Sequence, residues 1–192
     1  MTTPGIVAIA AAAAVLLLVV VWLYNRLVRA RVRVDEAWAQ VATDLQRRHD
    51  LVPSLVAVVR GYAAHESDLL DEVIRVRAAA LGPHPPEERR AAEDALTDAL
   101  ARLLLVAEDY PQLRADAVFA DLQTELAATE DRLAFARDFA AHRVARYHEL
   151  LGTFPSVVIA GLFGFERRPT FVADEHARSV PSASLSEPGA RS

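Results

Sequence analysis

The chain has no cysteine and no lysine among its 192 residues. Without cysteine there can be no disulfide, thiolate metal ligand, thiol nucleophile or cysteine-linked lipid anchor. Without lysine, all 21 basic side chains are arginine. Arginine and lysine are not physical equivalents at a given site, so replacement throughout points to GC-rich codons rather than to a task. Glycine is scarce, with 7 residues, and β-branched residues thin out beyond the first segment, which favours helix over sheet. The formal net charge of −5 offers no footprint for nucleic acid. From Gly5 to Tyr24 charge is missing altogether.

That uncharged run is the first feature to interpret. At 1.5 Å per residue, a helix of its length reaches about 30 Å, the thickness of a bilayer's hydrocarbon core. Its Ile, Val and Leu side chains favour insertion by about 3 to 7 kcal/mol in total. Trp22 and Tyr24 stand at one end, where amphipathic rings prefer the headgroups. Arg26, Arg29, Arg31 and Arg33 follow as a basic collar. A cleaved signal peptide would carry its positive charge before the apolar core and a small-residue site after it; Met1–Pro4 has no basic side chain and the small residues come first. The expectation is a short tail (1–4), a retained single-pass transmembrane helix (5–25), an outside N-terminus and a cytoplasmic remainder. Membrane lipids are therefore the first partner, and the collar suits an anionic leaflet.

The apolar pattern continues past the collar. Val34, Trp38, Val41, Leu45, Arg48, Val52, Leu55, Val59 and Tyr62 form a heptad stripe with one charged member. The stripe keeps its phase through Pro53, which favours a kink over a break near His49–Asp50. A second helix is expected from Ser67–Asp68, with Ser67 as cap and Leu70, Val73, Ile74 and Arg77 on one face. Leu81–Pro86 breaks it. A third follows Pro86, with its stripe at Leu96, Leu100, Leu103, Ala107 and Tyr110. Asp116 caps a fourth that runs through Phe119, Leu126, Leu133, Ala140 and Tyr147 to Gly152. The short connection before Asp116 predicts that the third and fourth helices pack antiparallel. The fold class is all-α: a transmembrane helix continuing into an antiparallel four-helix bundle of long helices. Phe154–Phe165 is too apolar for a free tail and too short to span a bilayer, so it docks on the bundle or lies in the membrane interface. Ser179–Ser192, rich in Ser and Pro, reads as a disordered tail.

Chemistry is thinly represented. His65-Glu66 and His148-Glu149 lack the second histidine of HExxH. Paired carboxylates such as Glu93-Asp94 are adjacent in sequence and diverge on a helix. The expectation is no enzyme, no cofactor and no metal. Arg48 is the anomaly, a cation where the stripe asks for an apolar side chain. It either snorkels or pairs with an acid such as Asp44, or forms a buried polar layer that fixes register or a partner.

Three blocks of sequence resemble the LemA family. The first comprises Tyr24-Asn25-Arg26-Leu27-Val28, then Val34-Asp35-Glu36-Ala37-Trp38, then Leu45-Gln46-Arg47-Arg48-His49-Asp50-Leu51-Val52-Pro53-Ser54-Leu55-Val56, then Gly61-Tyr62-Ala63-Ala64-His65-Glu66. The second runs from Leu122 to Arg137. The third is Phe154-Pro155-Ser156 with Gly161-Leu162-Phe163-Gly164-Phe165. The resemblance implies a bacterial single-pass inner-membrane protein with a bromodomain-like up-and-down bundle over 26–178. It implies no established enzymatic activity. It makes Arg47, Arg48, His49, Asp50, Pro53, Gly61, Tyr62, His65, Glu66, Phe154, Pro155, Gly161, Phe163, Gly164 and Phe165 the candidate interaction residues. The function expected is a non-enzymatic envelope scaffold or adaptor that binds membrane proteins or itself. The alternatives are an accessory subunit of an HtpX-like membrane metalloprotease, on family association alone, and an unrecognised enzyme. The chain departs from the family at Ser54, where asparagine is usual.

Overall fold

The computed structural model describes residues 3–82 and 86–168; the expected tail Ser179–Ser192 and the centre of the Leu81–Pro86 break lie outside them. The described residues are helical throughout apart from short connections. Helix α1 runs without interruption from Thr3 to Tyr62, 60 residues with Pro53 inside, or about 90 Å. It contains the one described stretch long and apolar enough to cross a membrane, and that stretch is almost wholly unburied. The helix begins two residues earlier than the expected span.

A 3-10 turn, Ala64–Glu66, leads directly into α2, Ser67–Ala80. The N-cap of α2 is Glu66, and its side chain makes no capping bond. Ser67 is therefore already helical, which corrects the expectation of a serine cap. The 3-10 turn delivers the chain into α2 already wound, with Glu66 N–H bonded to the Ala63 carbonyl at 3.1 Å. The buried face of α2 is Leu70, Val73, Val76 and Ala80, while Ile74 is exposed. Helix α3 is Pro86–Ala107, and a single turn, α4, Pro111–Arg114, precedes α5, Ala117–Gly152. Asp116 caps α5 as expected, accepting from Phe119 N–H at 3.0 Å. It also accepts from the Tyr62 hydroxyl at 2.7 Å, which ties the start of α5 to the end of α1.

Helix α5 packs mainly on α1, and α3 mainly on α2; the short connection does not make α3 the main neighbour of α5. Val34 lies with Val144 and Tyr147, and Ala37 and Val41 lie with Leu133, Ala136 and Ala140. Further along, Arg47 meets Glu125 and Tyr62 meets Asp116. Partners on α5 thus fall in number as those on α1 rise. The largest core lies at this far end, where Val52, Leu55 and Val59 meet Leu70, Leu96, Leu103 and Phe119. Each such buried side chain contributes about 1.5–3 kcal/mol relative to exposure.

At the near end α6, Ser156–Leu162, turns back onto α1. Ile159 and Ala160 pack on Leu23 and Leu27, with Val20, Leu150, Leu151 and Phe165 around them. Gly164 ends α6 in the left-handed region at φ 67°, and Phe165 N–H returns to the Ala160 carbonyl at 2.9 Å. This is the glycine-closed end that a side chain with a Cβ resists. The chain then retreats from the tip. The Tyr147 hydroxyl holds the Glu166 carbonyl at 3.0 Å, and Arg168 pairs with Asp35 at 3.1 Å.

Candidate functional site

Two features stand out on the α1–α5 side of the molecule. The first is a buried polar layer. Arg48, fully buried, sits at its stripe position on α1 and reaches across to α3 and α5. Its Nη1 donates to Thr97 Oγ1 at 2.9 Å and to Glu130 Oε1 at 3.1 Å, and Nη2 donates to the Glu93 carboxylate. His49 Nε2 shares that carboxylate, 3.0 Å from Oε1. Burial would push the Glu93 carboxyl up, but the His49 hydrogen bond and the Arg48 charge outweigh it and hold it below the usual carboxylate range. Arg137 lies close enough to feel the layer: burial and the like charge of Arg48 lower its pKa against the pull of Glu93 and Glu130. The acid paired with Arg48 is therefore distant in sequence, not Asp44. Asp44 instead accepts from Gln40 at 3.0 Å and lies 3.7 Å from Arg132. Arg48 Nε and His49 Nδ1 are buried without a hydrogen-bond partner among the described residues.

Pro53 belongs to the same layer through the backbone. Proline has no N–H, so the His49 carbonyl one turn earlier loses its helical donor. Arg77 of α2 supplies the missing bond, its Nε donating to the His49 carbonyl at 2.7 Å. The proline ring itself is exposed. Helix α1 thus passes through Pro53 because a side chain from a neighbouring helix replaces the lost bond.

The second feature is a groove of about 720 Å³ between α1 and α5, lined by residues from Arg33 to Asp44 on one side and from Asp131 to Arg143 on the other. Its apolar surface centres on Phe135, 72% exposed, stacked 6.2 Å from Phe139. The Arg143 guanidinium lies over the Phe139 ring at 4.5 Å. Arg33, the last residue of the collar, lines the groove, so its near end lies about 14 Å of helix rise beyond Tyr24.

The other family-motif residues are dispersed. Arg47 bonds Glu125 on the surface at 2.6 Å, and exposed Asp50 accepts from Gln46. Gly61 and Gly161 have open space where a Cβ would stand. His65 is exposed, and Glu66 accepts from the Tyr110 hydroxyl at 3.3 Å. The collar arginines are all exposed. Phe163 and Phe165 meet Tyr24 edge-on, with centroids 5.0 and 5.6 Å away, while Phe154 and Pro155 are exposed on the turn before α6. Arg48, His49 and Pro53 of this set converge on one layer, and Phe163 and Phe165 meet at Tyr24. Sequence reasoning missed Glu93, Thr97, Glu130 and Arg77. Glu93 had a legible signal: it extends the α3 stripe three residues before Leu96, a second charged member of an apolar row.

Among the described residues, no group of three or more His, Asp or Glu side chains is placed to hold a metal ion. The model of the LemA family matches residues 37–184. No curated protein matches the chain.

Proposed function

The chain belongs to the LemA family, and from that premise we propose that it is a membrane-anchored, non-enzymatic scaffold. Its apolar N-terminal segment crosses the inner membrane once, with the N-terminus outside. Its long helices form an antiparallel up-and-down bundle of four on the cytoplasmic face. The bundle presents the α1–α5 groove, at fixed height, to the membrane-proximal part of another membrane or envelope protein. One observation carries this reading: the helix that contains the apolar segment is also the central helix of the folded domain, with no linker between them. An enzyme tethered for convenience needs only a flexible leash, whereas an unbroken helix holds a surface at one distance. The exposed, stacked Phe135 and Phe139 give that surface an apolar contact of the kind that marks interaction sites.

The test is cross-linking in native membranes, with a photoreactive side chain at Phe135 and a control at exposed Asp121 on the same helix. Adducts to a membrane protein at Phe135 alone are the expected result. A clean monomer at both positions, after extraction in mild detergent, would sink the scaffold reading. A topology reporter fused after Arg33 decides the side of the membrane independently.

A further inference from the structure

Helix α6 is amphipathic without being polar. Ser156, Ile159 and Ala160 are buried against α1 and α5, yet Val157, Val158 and Leu162 on the opposite face, with Phe154 and Phe163 flanking the helix, are exposed and apolar. No charged residue occurs from Leu150 to Phe165. Resting on the anchor reading above, we propose that this open face is a second membrane contact, embedded at the bundle-side boundary of the bilayer that α1 crosses.

The height of α6 along α1 carries the proposal. From Pro4 to Val19 the helix is open apart from half-buried Gly5, which amounts to about 24 Å of rise. A hydrocarbon core of about 30 Å needs roughly 6 Å more. The next residues along are Val20 and Leu23, and these are the ones α6 packs against, together with Leu27. A bilayer that covers α1 adequately must therefore reach the level of α6.

The surroundings match a lipid boundary. Trp22 and Tyr24 lie at this level, with Tyr24 against Phe163 and Phe165 and the Arg26 guanidinium 5.4 Å from the Trp22 ring centre. Aromatic rings of this kind concentrate at headgroup depth. On the side away from the apolar segment, Arg26, Arg29 and Arg167 are exposed, and arginine at that position complements anionic headgroups. The apolar face of α6 is thus continuous with the span and ends where charge begins, with exposed Glu149 and Glu166 beside the arginines, as an interfacial element does. A second copy of the chain would give no reason for that charge boundary.

The absence of cysteine from the chain makes the test direct. Single cysteines replace Phe154, Val158 or Leu162 in the full-length protein, with Leu18 and Phe135 as references, and each carries a nitroxide. The proteins are reconstituted in vesicles of phosphatidylcholine with one quarter phosphatidylglycerol, and collision with oxygen is compared with collision with a water-soluble nickel chelate. The α6 labels should favour oxygen severalfold over the Phe135 label and report a shallower depth than Leu18. The inference is overturned if the α6 labels match Phe135 while Leu18 stays buried in lipid; the anchor then stands alone. If Leu18 is also open to nickel, the anchor reading has failed and α6 fails with it. Labels shielded from both reagents, with dipolar broadening that grows with protein density, would assign the face to a second copy and also overturn the proposal. Circular dichroism of each variant confirms that the label reports on the folded chain.

Discussion

Arg77→Met should destabilise the protein by about 1–2 kcal/mol, and nearly all of that cost should vanish when Pro53 is alanine. Arg77 Nε donates at 2.7 Å to the His49 carbonyl, the acceptor that Pro53 leaves without a helical donor. His49 is buried, so removing the guanidinium leaves a carbonyl short of a partner, a loss of about 1–3 kcal/mol. Methionine keeps most of the apolar stem of arginine, so packing changes little. Pro53→Ala restores an N–H at the right place in the helix, and the His49 carbonyl no longer depends on α2. The assay is urea unfolding of the full chain in detergent micelles, followed by far-ultraviolet circular dichroism, for the native protein, both single variants and the double variant. The coupling energy should be about 1–2 kcal/mol, well above the roughly 0.3–0.5 kcal/mol scatter of independent sites. Equal costs of Arg77→Met with proline and with alanine at position 53 would refute the reasoning.

Glu93→Gln should cost about 3 kcal/mol, since it strips the buried Arg48 of its main counter-charge; Arg48→Met combined with Glu93→Leu should lie within about 1 kcal/mol of the native protein or above it. Unfolding midpoints of the two variants decide this, and a double variant weaker than Glu93→Gln would contradict it. The Glu93 carboxyl is held low in the fold, so its contribution is fully present above the unfolded value of about 4.3 and is lost as the pH falls through the folded one. Between pH 7 and pH 3 the native protein should therefore lose more stability than Glu93→Gln does, read from urea midpoints at each pH. Asp116→Asn should bring the Tyr62 phenol down toward its ordinary value, because the hydrogen bond and charge of Asp116 raise it; an ultraviolet absorbance titration against the native protein reads the difference.

The large-scale arrangement was legible because it is written in periodic form. The α1 and α5 stripes place Val34, Val52, Leu55, Leu133 and Ala140 on buried faces, and the Asp116 cap sits where its short side chain precedes an apolar run. Local pattern fails where the fold joins distant residues. Nothing in the α1 stripe names Glu93 as the partner of Arg48, since the bond spans 45 positions; nearness in sequence favoured Asp44, which points elsewhere. The cap of α2 was misplaced because Ser67 looks like a start when the 3-10 turn before it is not foreseen. Pro53 announced a defect in α1, but its remedy comes from Arg77, which the pattern places only on one face of α2. Phe135 and Phe139 fell outside the apolar stripe, and Phe135 entered only as part of the Leu122–Arg137 block, although exposure is what makes them candidates for contact.

The unbroken α1 also has a mechanical consequence. From Tyr24 at the end of the apolar segment to Tyr62 at the far pole the helix rises about 57 Å. On the anchor reading, and with no joint between them, this length is a lever arm whose fulcrum would be the bilayer. Transmembrane helices tilt by about 20° on average, and by more or less as hydrocarbon thickness changes. A tilt of that size sweeps the Tyr62–Asp116 pole sideways by about 20 Å. On the anchor reading, a thinner or thicker membrane is converted into a displacement at the far end many times larger than the change in thickness itself.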